Sequence, residues 1–144
     1  MVETGVFPNG NIKINLLPAI NNLSVTLSKY KEGILTLGEN WDDDGGKPYQ
    51  ITTWDRAESF VGELLIRLWL DNISVPIPSI LPGPGGSIDV DWETDAFKLL
   101  VNVPEDPTEL VNLFGEGVKR QEIEITIEYD ELIAVLLPWL KTIH

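Results

Sequence analysis

Apolar residues repeat at two different intervals along this chain, and the order of those intervals leaves few architectures open. Ala57, Phe60, Val61, Leu64, Leu65, Leu68 and Trp69 recur every three or four residues, which predicts an amphipathic helix. From Ile88 onward the interval drops to two. Ile88, Val90 and Trp92 alternate with Ser87, Asp89 and Asp91, and Phe97, Leu99, Val101 and Val103 alternate with Lys98 and Asn102. Further on, Ile123, Ile125, Ile127 and Tyr129 alternate with Glu122, Glu124, Thr126 and Glu128. This pattern makes strands with one apolar and one wet face. Helical and extended segments are segregated, with no β-α-β alternation to build a parallel sheet. The expected fold is therefore α+β: a two-layer sandwich, an antiparallel sheet of about four strands with helices packed on one face.

The remaining segments fit around that frame. Pro8-Asn9-Gly10 followed by Ile12, Ile14 and Leu16 predicts a turn and a short strand or extended arm. Leu23, Leu27, Tyr30, Ile34 and Leu37 predict a first helix stopped by Gly38. Thr52 with Asp55 resembles a capping box opening the second helix, which Asp71-Asn72 and Pro76 would end. Pro76, Pro78, Pro82 and Pro84 with Gly83 and Gly85-Gly86 predict a stiff crossover from helix to sheet. Glu93 to Ala96 forms a hairpin turn, and Leu110 to Phe114 a third strand turning through Gly115-Glu116-Gly117. Asp130-Glu131 opens a closing helix carrying Leu132, Ile133, Leu136, Leu137 and Leu140, with Pro138 expected to kink or end it. At 144 residues the chain reads as a single domain, 1–144.

The residue types present restrict the chemistry. Cysteine is absent and the one histidine is His144, so thiolate chemistry, most nucleophile–base pairs and imidazole metal sites are excluded. With 23 Asp and Glu against 10 Lys and Arg, the net charge is −13. That balance argues against nucleic acid as a ligand, because phosphate binding rests on Lys and Arg. It favours solubility and suits a basic partner steered by the field of the chain, the plain alternative being the ordinary acidity of many bacterial cytosolic proteins. The lack of cysteine, of a signal-like start and of a long apolar run points to a cytoplasmic protein with no membrane association.

Asn40-Trp41-Asp42 with Gly45-Gly46-Lys47-Pro48, and Pro82-Gly83-Pro84-Gly85-Gly86-Ser87-Ile88 with Trp92, carry a resemblance. Over roughly residues 27 to 103 the chain resembles a family of small, uncharacterised bacterial proteins. Their pattern is an N-W-D…G…P loop, a helix, a Pro-rich stretch and a Gly-Gly-β-Trp strand. The resemblance implies no activity, cofactor or catalytic residue, and the run of three aspartates in this loop departs from the family pattern.

Two constellations are candidate sites. Asn40, Asp42 and Asp44 before Gly45 match the first ligand positions of a calcium loop, where oxygens surround a hard cation. The bidentate glutamate such a loop needs is replaced by Ile51, and the competing reading is an Asx-type turn. Asp89, Asp91, Glu122, Glu124 and Glu128 would share the wet face of one sheet, as a metal-dependent carboxylate enzyme or a recognition surface requires; a solvated face is the plain alternative. Gly83-Pro84-Gly85-Gly86 lacks the lysine and helix of a phosphate loop and reads as a structural turn. Trp54 and Trp139, near helix ends, are candidate partner contacts. The expected function is a non-enzymatic protein-interaction module without cofactor, presenting an acidic surface to a protein partner of basic character or to a second copy as a homodimer, in the manner of antitoxins and immunity proteins. The alternative is a metal-dependent enzyme or weak calcium-binding module at Asp42 and Asp44.

Overall fold

The computed structural model describes residues 3–6 and 12–144. β1 (Glu3–Val6) pairs antiparallel with β2 (Ile12–Asn15), Glu3 opposite Asn15 and Val6 opposite Ile12. The expected strand at Ile12 and Ile14 is thus present, while the Pro8-Asn9-Gly10 turn lies outside the described residues.

Helix α1 (Leu16–Leu35) starts well before Leu23. Pro18 does not prevent this, because backbone amides of a first turn have no intrahelical partner to lose. Gly38 is not the stop. The helix ends at Leu35, where the amide and hydroxyl of Thr36 both donate to Glu32 O, at 3.2 and 2.8 Å. Helix α2 (Ile51–Leu70) buries every member of the Ala57–Trp69 series. Its first residue precedes Thr52, so the expected Thr52–Asp55 box does not form; Gln50 takes the N-cap position without a side-chain bond. Extending the helix back by this turn puts Thr53 and Trp54 under the sheet, fully buried. The end is as expected. Asn72 adopts φ 59°, and the amides of Asn72 and Ile73 donate to Trp69 O and Leu68 O, both at 2.9 Å, a Schellman closure.

The sheet has five strands, one more than expected, and they lie in sequence order with every pair antiparallel: β3 (Ser79–Pro82), β4 (Ile88–Glu93), β5 (Phe97–Val103), β6 (Val111–Gly117) and β7 (Glu122–Ile127). The added strand is β3, inside the proline-rich stretch. It is an edge strand, so the amide that Pro82 lacks costs no ladder bond on its outer side. Gly115 and Gly117 are strand residues, not a turn. The reversal comes at Arg120 (φ 60°), where Gly117 N donates to Gln121 O at 3.1 Å. Tyr129 leaves β7 for a short 3-10 turn, Tyr129–Glu131, and its hydroxyl donates to Arg56 O at 2.7 Å.

Helix α3 (Leu132–Ile143) continues past Pro138 instead of ending there. Leu136 and Leu140 are fully buried on either side of the proline, and the Trp139 indole donates to Gln121 O at 3.1 Å. This packing outweighs the roughly 3 kcal/mol that an interior proline costs a helix.

All three helices and the sheet contribute to one buried cluster. Phe60 of α2 meets Trp92 of β4 edge-on at 6.2 Å, joining the two layers. The indoles of Trp92 and Trp69 donate to Pro76 O (2.8 Å) and Val75 O (2.9 Å), tying the proline-rich stretch to the core. Among the described residues no helix is long and apolar enough to cross a membrane.

Candidate functional site

The helices cover only the face of the sheet that carries Ile88, Val90, Trp92, Leu99 and Val101. The strand register orders the opposite face into rows. One row runs Ser79, Asp91, Leu100, Phe114, Glu124; the next runs Leu81, Asp89, Asn102, Asn112, Thr126; a third runs Glu93, Lys98, Glu116, Glu122. The expected acids therefore do share one face, but as two separate columns. Asp89, Asp91 and Glu93 stand on β4, and Glu122 and Glu124 on β7, three strand spacings or about 14 Å away. Glu128 is exposed just past the end of β7.

Between the columns the middle of the face is apolar, with Asn102 and Asn112 on one side of it and Lys98 and Glu116 on the other. Leu100 and Phe114 are directly paired across β5 and β6 and remain 41% and 45% exposed. Leu110 and Val118, which flank β6, and Leu81 on β3 are exposed too. Sequence reasoning passed over this pair. Its signal was present: Leu99-Leu100 and Leu113-Phe114 are apolar doublets that place a large side chain where alternation calls for a polar one. A shallow groove of about 420 Å³ runs beside them, lined by Leu100, Asn102, Asn112, Phe114 and Glu124. Its polar floor is held in place, with Asn102 Nδ2 donating to Asp89 Oδ1 (2.7 Å) and Ser87 Oγ (2.9 Å), and Thr126 Oγ1 donating to Asn112 Oδ1 (2.8 Å).

The β4 column is electrostatically loaded. Partial burial pushes the Asp91 carboxyl above its ordinary value of 3.8, helped by the charges of Glu93 and Asp89, with Lys98 opposing. A carboxyl whose folded pKa exceeds its unfolded one destabilises the fold when ionised, and that penalty is relieved as pH falls through the raised value. Asp91→Asn is accordingly expected to stabilise the protein at pH 7, by no more than about 1 kcal/mol, the scale of surface electrostatics. The gain should vanish below pH 3.8, which thermal melts of both proteins across pH 7 to 3 would read. A variant less stable than the parent at pH 7 would show that the carboxylate is held by a favourable partner.

The Asn40–Lys47 loop is arranged differently. Asp42 Oδ1 accepts the amides of Asp44 (3.0 Å) and Gly46 (2.8 Å), and Asn40 Oδ1 accepts that of Gly45 (2.8 Å). The amides of Asp44 and Gly46 hold the Asp42 carboxyl below its ordinary value. The left-handed backbone at Asn40, Asp43 and Gly45 (φ 53°, 59° and 80°) makes the inward fold possible. A Cβ on Gly46 would stand 2.6 Å from Asp42 Oδ1, so the closure needs glycine there. Among the described residues no three His, Cys, Asp or Glu side chains converge as a metal cluster.

The loop is also pinned from outside. Trp41 Nε1 donates to Lys47 O at 3.2 Å, and its ring lies 6.0 Å from that of Tyr49. Tyr49 donates its hydroxyl to Gly83 O (2.6 Å), and Lys47 pairs with Glu105 at 2.9 Å beside Gly86. The Asn40–Pro48 loop and the Pro82–Ser87 segment thus brace each other. Gly83 to Ser87 closes on itself, Gly83 N donating to Ser87 O (2.8 Å) and Ser87 Oγ to Pro84 O (2.6 Å).

The tryptophan expectations divide. Trp54 is fully buried and its indole bonds Glu58 at 2.5 Å, so it is no partner contact. Trp139 is half-buried, edge-on to Phe97 at 6.2 Å. No family model, curated protein or solved structure matches the chain.

Proposed function

We propose that this chain is a non-enzymatic protein-interaction module whose open sheet face receives a protein partner of basic character. The observation that carries this reading is the exposed Leu100–Phe114 pair set between two columns of carboxylates. An apolar centre with a polar, charged rim is the anatomy of a recognition surface, in which the centre supplies affinity while the rim supplies orientation and association rate. The charge of −13 extends that steering over the whole molecule. A role like that of an antitoxin or immunity protein, neutralising a basic partner by covering it, fits such a surface.

Affinity purification of the tagged chain from its host, beside a Phe114→Lys variant, tests this. The expected result is a protein retained at low salt, released at high salt and missing from the variant. Circular dichroism establishes that the variant folds, as a substitution at an exposed position should. Identical eluates from the two proteins, or none from either, would overturn the reading.

A further inference from the structure

Resting on that reading, we infer that the occupant of the open face is a basic amphipathic helix, about 18 residues long, laid along β6 between the two acidic columns. The dimensions point to it. The exposed apolar residues Leu110, Phe114 and Val118 recur at every fourth position, and eight residues of extended chain span about 27 Å. A helix rises 1.5 Å per residue, so about 18 residues match that length. Across the strands, the columns of β4 and β7 are about 14 Å apart, and a helix with side chains is about 10–12 Å wide. A helix seated over Leu100 and Phe114 would reach Asp89, Asp91 and Glu93 with basic residues on one flank, and Glu122 and Glu124 on the other. Lys and Arg suit those flanks, since their stems cover apolar surface while their heads meet the carboxylates.

Other occupants fit less well. Asp89, Asp91, Glu93, Glu116, Glu122 and Glu124 outnumber the cations beside them, which are Lys98, directly opposite Glu116, and Arg120, which lines the same cleft as both. A second copy would bring the same negative face against this one, and a nucleic acid or anionic bilayer would repeat the conflict. An added strand lying over the face would leave its own amides and carbonyls unpaired above Leu100 and Phe114, whereas a helix satisfies its backbone internally. The inner face of this same sheet is already covered by helices.

The probe is an 18-residue peptide of leucine and lysine with leucines at i, i+3, i+4 and i+7, compared with a peptide of the same composition whose order breaks the stripe. Titrated into isotopically labelled protein, the striped peptide should shift the amide resonances around Leu100 and Phe114 and gain helical circular dichroism. It should bind at least tenfold more tightly than the scrambled one, and lose that advantage against Phe114→Lys. Equal binding of the two peptides, shifts centred elsewhere, or no binding would overturn the helix. So would sedimentation showing the protein alone as a dimer that Phe114→Lys dissociates, which would make a second copy the occupant. If the host partner is lost by Phe114→Lys while the striped peptide fails, the interaction module stands and only its helical occupant falls.

Discussion

Replacing Trp92 by alanine is expected to cost about 3–5 kcal/mol, the range for deleting a fully buried aromatic residue. Against a total stability of roughly 5–15 kcal/mol for a domain of this kind, that leaves a protein near the edge of folding. Trp92 is 1% exposed, contacts Phe60 edge-on, and donates its indole proton to Pro76 O. Removal opens a cavity between helix and sheet and frees the proline-rich stretch on which β3 depends. The melting temperature should fall by about 6–20 °C, at roughly 2–4 °C per kcal/mol for chains of this size. Trp92→Phe, which keeps one aromatic ring and loses the hydrogen bond and the volume of the second ring, should restore part of the loss. A drop under 1 kcal/mol in urea unfolding of the alanine variant would mean that Trp92 does not join the two layers.

Gly115→Val is the second large effect. A Cβ at Gly115 would lie 2.6 Å from Cη2 of Trp139 and 3.0 Å from Cγ2 of Ile123. The indole is held from three directions, by Gly115, by Phe97 and by its bond to Gln121 O, so it cannot slide aside cheaply. Overpacking of this kind costs about 1–3 kcal/mol. Displacing Trp139 also removes part of what carries α3 through Pro138, so the last turns of the helix should fray and lose protection from amide exchange. Combining Gly115→Val with Trp139→Ala should cost clearly less than the two single changes added, because the clash exists only while both groups are present. Additive losses would place the strain elsewhere.

What could be read in the chain beforehand follows the local physics. The helix over Ala57–Trp69 and the strands β4, β5 and β7 were legible because apolar spacing records directly which face is buried. Strand β3 was hidden behind Pro76, Pro78 and Pro82, residues that discourage strands except at an edge, and edge position is a property of the sheet. Pro138 and Gly115 misled for a related reason. Both signals are local, and both were overruled by tertiary context: Gly115 is paired on both sides within β6 beside the Trp139 ring, and α3 continues past Pro138 with Leu136 and Leu140 buried. At the sheet face Asp89, Asp91, Glu122 and Glu124 stand on the side read for them while Glu128 falls past the end of β7, and Leu100 and Phe114 went unread although the doublets marked them. In the Asn40–Asp44 loop the spacing of oxygens was visible, but not that those of Asn40 and Asp42 turn inward onto backbone amides.

The strictly sequential order of the five strands has a consequence for how the chain is made. Each pairing closes only the short loop between neighbours, and loop-closure entropy is smallest for such contacts. The sheet can therefore assemble as a series of hairpins, each growing on the last. The helices α1 and α2 precede it in the chain, so during synthesis the apolar side of α2, with Phe60, Leu64 and Leu68, emerges before β4 and β5 exist to cover it. The nascent protein passes through an interval in which the helix that buries the most residues in the finished fold is exposed, and that interval ends when Trp92 and its strand arrive.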